Sequence, residues 1–199
     1  MTTTTADRGV LASGLLVEPP VRVPWYLRLG LWWARRATGQ EPLPGRLLAH
    51  VPRAAFAAGV FELGTPHGPR DLGRRELAVA RLVASATTGC PFCIDLNAAG
   101  HAEAGLERDE LDALLALDPA RWTTLDEREA AAAAYARALS STPVAVPAAL
   151  QAELRRVFTD RELVVLATTI AQVNYWARFN HGLGVPAAGF FADTACPRP

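Results

Sequence analysis

The run from Leu72 to Ala86 limits this chain more than any other stretch. It is apolar on nearly every side, with Leu77, Val79, Leu82 and Val83 spread around the helical wheel. A helix with no polar face has to be wrapped by other elements, so this one is expected to be buried rather than on the surface. Cys90-Pro91 then starts another helix, since proline is favoured at the first helical position.

The wrapping elements read as helices too. "PWYLRLGLWWARRATG" carries Trp25, Leu29, Trp32 and Trp33 among arginines and stops at Gly39. "LPGRLLAHVPRAAFAAGVFELG" predicts two short helices broken before Pro52, and a helix is expected from Pro91 to about Ala104, ending at Gly105. "LERDELDALLALD" is a short amphipathic helix with its acids early. Thr124 with Glu127, and Thr159 with Glu162, fit capping boxes that open the helices through "DEREAAAAAYARAL" and onward to Phe179 and Gly182. Pro147 suits the first turn of "PAALQAELRRVF". No stretch alternates apolar and polar residues between turn signals, so the expected fold is all-α.

An internal echo runs through the chain. "DLGRRELAVARLVASATTGCPFCIDLNAAG" and "TDRELVVLATTIAQVNYWARFNHGLG" share R-E-L, a long apolar helix, an aromatic stretch and an Asn before a Gly. Two related helical units are expected, the second without cysteines.

Composition removes several function classes. All 20 basic side chains are arginine, so lysine Schiff-base chemistry is excluded. The formal charge is zero, without the global basic charge that accompanies nucleic-acid binding, and no nucleic-acid partner is expected. The N-terminus lacks the pattern of a secretory signal. The longest uncharged helical stretch, Leu163 to Ala177, contains Gln172 and Asn174 and is too short for a bilayer. A soluble, cytoplasmic protein is expected. There thiols are kept reduced, so Cys90 and Cys93 point to catalysis or metal binding rather than a static staple. Cys196, in the tail "TACPRP", is read as incidental.

Cys90 is expected to be the N-cap and Cys93 the third residue of the helix that Pro91 opens. Free N–H groups and the positive end of the helix dipole stabilise a thiolate there. The spacing also brings both sulfurs to one face, within reach of a disulfide. One thiolate can attack an oxidant and the other can resolve the sulfenic acid. Asp95 is expected in the same first turn, where it suits the dipole but would oppose thiolate formation if it pointed at the sulfurs. A thioredoxin fold would need βαβ patterning, which is absent. Zinc would need about four ligands, and His50, His67, His101 and His181 are scattered, so no metal or other cofactor is expected.

"RELAVARLVASATTGCPFCIDLN" resembles the carboxymuconolactone decarboxylase / alkylhydroperoxidase-D-like superfamily, whose signature is a helix beginning at R-E-L and a Gly-Cys-x-x-Cys opening the next. "LLAHVPRAAFAAGVFEL" resembles the upstream H-x-P helix pair, and "FTDRELVVLATTIAQVNYWARFNHGLGVP" the closing helix with its N-x-x-x-R-F-N ending. The resemblance spans Leu47 to Pro186. It implies an all-helical, duplicated fold that forms homo-oligomers through intertwined helices. In its thiol-active branch, Cys93 would meet the peroxide, Cys90 would resolve, and Glu76 would be the relay carboxylate. A small hydroperoxide and a reducing partner for the disulfide would be the partners.

Two departures stand out. Asn97 occupies the relay histidine's place, and Glu76 stands fourteen residues before Cys90, further than the family's usual spacing. Asn97 shares a face with Cys93 and can hydrogen-bond it but cannot carry a proton. His101, a turn beyond, is about 12 Å from Cys93 along the axis, so it is a compensating candidate or simply a helix-end histidine. For Glu76 the alternative to a relay role is service to its helix's N-terminal dipole alone. The alternatives to a dithiol peroxidase are lactone decarboxylation, whose branch usually lacks the cysteine pair, and a non-catalytic oligomeric member of the fold. In that last case the helix Trp25 to Arg36 would be a docking surface, packed on its own oligomer in preference to a membrane. The expected organisation is an N-terminal extension over 1–45, the family domain over 46–190 and a tail over 191–199.

Overall fold

The structure is a computed structural model that describes residues 14–40, 42–65, 68 and 70–191. Parts of the expected N-terminal extension and tail, with His67 and Cys196, lie outside the described residues. Among those described, the regular elements are all helical: α1 (Trp25–Thr38), α2 (Leu43–Leu48), α3 (Pro52–Gly64), α4 (Arg74–Thr88), α5 (Pro91–Ala99), α6 (Arg108–Leu115), α7 (Glu127–Ser140), α8 (Ala148–Val157) and α9 (Asp160–Leu183), with one 3₁₀ turn at Pro119–Arg121. None is long and apolar enough to cross a membrane.

The apolar helix is the hub. α4 packs against α5, α6, α7 and α9, and Val79, Leu82 and Val83 have no exposed surface. On α7, Ala131, Ala132, Ala133 and Ala136 join the same core. Their methyl-sized side chains let the two backbones approach closely while giving up little rotamer freedom. Truncating Leu82 to Ala would cost about 2–5 kcal/mol, because a site walled on all sides cannot collapse.

Charged residues lock the ends of this core. Arg75 bonds Glu129 at 2.5 Å and Glu110 at 2.8 Å, and it also donates to the Gly105 carbonyl. Arg128 bonds Glu76 at 3.2 Å and Glu162 at 2.6 Å, with its guanidinium 4.4 Å above the Phe158 ring. The two R-E-L segments therefore meet on a single arginine.

Several expected boundaries move. The box that opens α7 is Asp126 with Glu129, not Thr124 with Glu127. Thr124 instead bonds the Glu110 carboxylate, and Glu127 pairs with Arg156. α5 ends at Ala99, and the chain continues in turns to Gly105, whose φ of 80° is left-handed. Pro147 caps α8 from outside rather than beginning it. α9 runs past Gly182 to Leu183, and Gly184 stops it at φ 70°. A side chain at Gly184 would also collide with the Gly14 carbonyl, which lies 2.5 Å from where its Cβ would be. The Thr159–Glu162 box is as expected.

Candidate functional site

The dithiol stands at the corner between α4 and α5. Gly89 ends α4 at φ 64°, a conformation that costs other residues more than glycine. This turns the chain so that Cys90 becomes the N-cap of α5, Pro91 its first residue and Cys93 its third, as the spacing predicts. The Cys93 N–H donates to Cys90 Sγ at 3.2 Å, so a sulfur takes the place a hydroxyl usually holds at a helix cap. The two cysteines form a disulfide with 5.2 Å between Cα atoms. Both are buried: Cys90 has no exposed surface and Cys93 is 3% exposed.

Their neighbours come from distant parts of the chain. Leu15, Leu47, Phe92, Ala177 and Val185 share their hydrophobic cluster. Phe190 packs edge-on against Phe92 at 5.6 Å. From α9, the Asn180 amide nitrogen reaches 3.7 Å from Cys93 Sγ and 3.8 Å from Cys90 Sγ. Asn180 is 1% exposed, and its Oδ1 has no hydrogen-bond partner among the described residues.

Asp95 lies past the first turn of α5, contrary to expectation. Its Oδ2 accepts from the N–H groups of Ala188, Gly189 and Phe190 at 2.8, 2.7 and 3.0 Å, and its Oδ1 from Phe191 at 2.9 Å. The carboxylate is therefore committed to fastening the segment after α9 beside the dithiol, not to opposing a thiolate.

The other expected site residues fall in different places. Asn97 donates to Ser85 Oγ at 3.0 Å and to the Cys93 carbonyl at 2.9 Å, so it bonds the cysteine's backbone and not its sulfur. It ties α5 to α4. His101 sits at the helix end, its Nδ1 2.8 Å from the Ala98 carbonyl and its ring edge-on to Phe191 at 5.4 Å. Glu76 lies in the first turn of α4 on Arg128, whereas the dithiol follows the last turn, roughly 18 Å along the axis. The structure thus brings Cys90, Cys93 and Asn97 together and sets Glu76 and His101 apart.

A cleft of about 320 Å³ opens between α4 and α5, with Ala78, Arg81, Leu96, Asn97 and Glu103 among its walls. Burial pulls the Arg81 guanidinium below its ordinary range, against the favourable charge of Glu62. The larger cleft, about 800 Å³, lies between α1, α2 and the segment before them and includes none of the residues around the dithiol. Two groups escaped the sequence reading: Asn180 as a partner of the sulfurs, and Asp95 as a clasp. Both act across about ninety residues of chain; Asn180 is the last residue of the N-x-x-x-R-F-N ending, but nothing in that pattern says that it meets the sulfurs.

Residues 53–138 match the carboxymuconolactone decarboxylase family. The uncharacterized protein YnjA of Escherichia coli strain K12 is 32% identical over 175 residues, which span 86% of this chain and 93% of YnjA. Among solved structures, the apo form of the debrominase Bmp8 has a TM-score of 0.70 at 22% identity, over 88% of this chain and 93% of that one. The alkylhydroperoxidase AhpD core of an uncharacterized peroxidase-related protein from Ralstonia eutropha JMP134 has a TM-score of 0.71 at 20% identity, covering 89% and 94%. At these identities the two structures show a common fold.

Proposed function

The chain belongs to the carboxymuconolactone decarboxylase family, and we propose that it is a thiol-dependent peroxidase that reduces small hydroperoxides through Cys90 and Cys93. The observation that carries this reading is the pair of buried sulfurs at the cap and third position of α5, closed as a disulfide.

In the reduced state the Cys93 thiolate attacks the outer oxygen of the hydroperoxide. The O–O bond breaks, the alkoxide takes a proton from solvent and leaves as alcohol, and Cys93 becomes a sulfenic acid. The Cys90 thiol then attacks that sulfur, water leaves, and the disulfide forms. A dithiol reductant returns two electrons and two protons. Attack of the reductant on Cys93 expels the Cys90 thiolate, which the Cys93 N–H is placed to stabilise. Cys93, a residue 3% exposed where Cys90 has no exposed surface, is assigned the first step. Asn97 holds α5 on α4 and moves no proton.

Intact-mass analysis with and without cumene hydroperoxide tests the cycle. One equivalent should convert the dithiol to a disulfide. Cys90→Ser should trap sulfenic acid on Cys93, and Cys93→Ser should lose peroxide consumption. Full turnover in Cys93→Ser with a dead Cys90→Ser reverses the roles. If neither change matters, the peroxidase reading is wrong. A variant of Bmp8 has been solved with 2,3,4-tribromopyrrole, so the same assay run with that compound asks whether the thiolate instead removes bromine.

A further inference from the structure

We propose that Asn180 is a catalytic residue of the dithiol, whose amide holds the reduced pair as one thiolate and one thiol. Its N–H donates to the Cys93 thiolate while its Oδ1 accepts from the Cys90 S–H. The inference rests on reading the cysteines as a redox couple and names the group that poises them.

Among the described residues, Asn180 is the side chain that hydrogen-bonds to the sulfurs, and it bonds both. Cys90 Sγ also receives the backbone N–H of Cys93. Asn180 is thus the donor that serves Cys93. A bond from an amide N–H to an anionic sulfur is charge-assisted and stronger than one to a neutral sulfur, so this amide favours ionisation of the thiol it touches.

The other half of the amide supplies the second argument. Oδ1 is buried and has no partner among the described residues, and buried polar atoms are rarely left so. A disulfide offers it nothing, because both sulfurs are acceptors only. Reduction of the bond by two electrons and two protons creates the missing donor, an S–H. The amide carries a donor and an acceptor side by side, and a half-ionised dithiol presents an acceptor and a donor side by side. The site that is incompletely bonded when oxidised becomes fully bonded when reduced and singly ionised.

Charged groups on the packed elements are engaged elsewhere. Asp95 on α5 holds the backbone of residues 188–191. On α9, His181 bonds the Thr88 carbonyl and Arg178 the Thr142 hydroxyl. Arg81 on α4 and Arg46 on α2 line the two clefts, and Glu18 precedes α1. None of them bonds a sulfur among the described residues, which leaves Asn180 as the local control.

The test is a titration of the reduced full-length protein, following ultraviolet thiolate absorbance against pH. With Cys196 replaced by Ser in every protein, so that the pair alone is read, the otherwise wild-type chain should show one thiol ionising below the free-cysteine value of about 8.5 and the other above it. Asn180→Leu should raise the first ionisation by about one unit, slowing alkylation of Cys93 by a neutral reagent near neutral pH roughly tenfold. Asn180→Asp, which keeps the shape and loses the donor, should raise it at least as far. Identical titrations in all three proteins overturn the proposal. Should both variants unfold, the wild type alone decides. Its Asn180 side-chain amide resonance should shift on reduction and titrate with the first thiol, and a resonance unmoved by either overturns the proposal. These readouts need no peroxide. A shifted titration without peroxide turnover supports Asn180 and rejects the peroxidase, and turnover with a flat titration does the reverse.

Discussion

Glu76 accepts a hydrogen bond from Arg128 at 3.2 Å, and Glu162, its counterpart in the second R-E-L segment, accepts from the same guanidinium at 2.6 Å. Two helix starts from two related units share one cation. The geometry makes Glu76 a fastener for the core, far from the sulfurs along α4.

Glu76→Gln should therefore lower stability by about 1 kcal/mol and leave hydroperoxide turnover within twofold. Arg128→Ala should cost more, about 2–3 kcal/mol, because it strands two half-buried carboxylates and removes the contact with Phe158. Urea unfolding alongside a peroxide assay separates the two effects. A Glu76→Gln protein of full stability that has lost turnover would restore the relay role.

Asp95→Ala should release the segment after α9. Four backbone N–H groups lose a charged acceptor, and the expected loss is about 2–4 kcal/mol. Hydrogen exchange at residues 188–191 should rise, and the disulfide should become reducible by small thiols at least about tenfold faster, with a local opening free energy reduced by more than 1.4 kcal/mol. Unchanged exchange at those amides would show that the clasp is not what fastens the segment.

Acid should loosen the Arg75 cluster. The hydrogen bond from Arg75 holds the Glu110 carboxyl down to about 2, from an ordinary 4.5. A depressed folded pKa adds stability that is full above the unfolded value and is lost as pH falls through the folded one. Stability should thus decline between about pH 4.5 and pH 2, with a share on the order of 1–2 kcal/mol from Glu110 after solvent screening. In Glu110→Gln that share should vanish, so the acid limb of a stability-against-pH curve should flatten. Parallel curves would reject the assignment.

Asn97→His puts a proton carrier where the side chain now bonds Ser85 and the Cys93 carbonyl. Peroxide turnover should rise about a hundredfold, the low end of what a positioned acid–base group contributes, with a new dependence near the histidine pKa. A drop in rate would mean that the tie between α4 and α5 outweighs any gain in proton transfer.

The outer faces of α1 and α3 predict self-association. Trp25, Leu29, Trp32 and Trp33 on the first, and Phe56, Val60 and Leu63 on the second, are each more than half exposed. Apolar surface on this scale marks an interaction face. Sedimentation should show an oligomer, and Trp33→Glu with Leu63→Glu should shift it toward monomer. A protein that is monomeric before substitution contradicts this.

The helices were legible because their causes are local. Gly39, Gly89, Pro91 and the Thr159–Glu162 box act within a few residues of the ends they set. The N-cap place of Cys90 followed from Pro91 for the same reason. The start of α7 was misread because two overlapping patterns, Thr124–Glu127 and Asp126–Glu129, each satisfy the capping rule. Partners on other helices, Glu110 and Arg156, decide between them. Residues 188–191, which Asp95 holds, and Ser85, which Asn97 bonds, lie on other parts of the chain, so local pattern carries no sign of them. Asn180 stands in the sequence as the last residue of the N-x-x-x-R-F-N ending, with no sign of what it bonds. Only the folding of α9 across α5 gives it two sulfurs.

The burial of Cys90 and Cys93 has a kinetic corollary. Cys90 has no exposed surface and Cys93 almost none, so a reagent in solution is held off until the protein opens. At low thiol the rate of disulfide reduction should climb with concentration, and at high thiol it should level at a first-order ceiling set by the chain's own breathing. Every small reductant would share that ceiling regardless of its strength. The lifetime of the oxidised form would then be written in the fold, not in the redox potential of its surroundings.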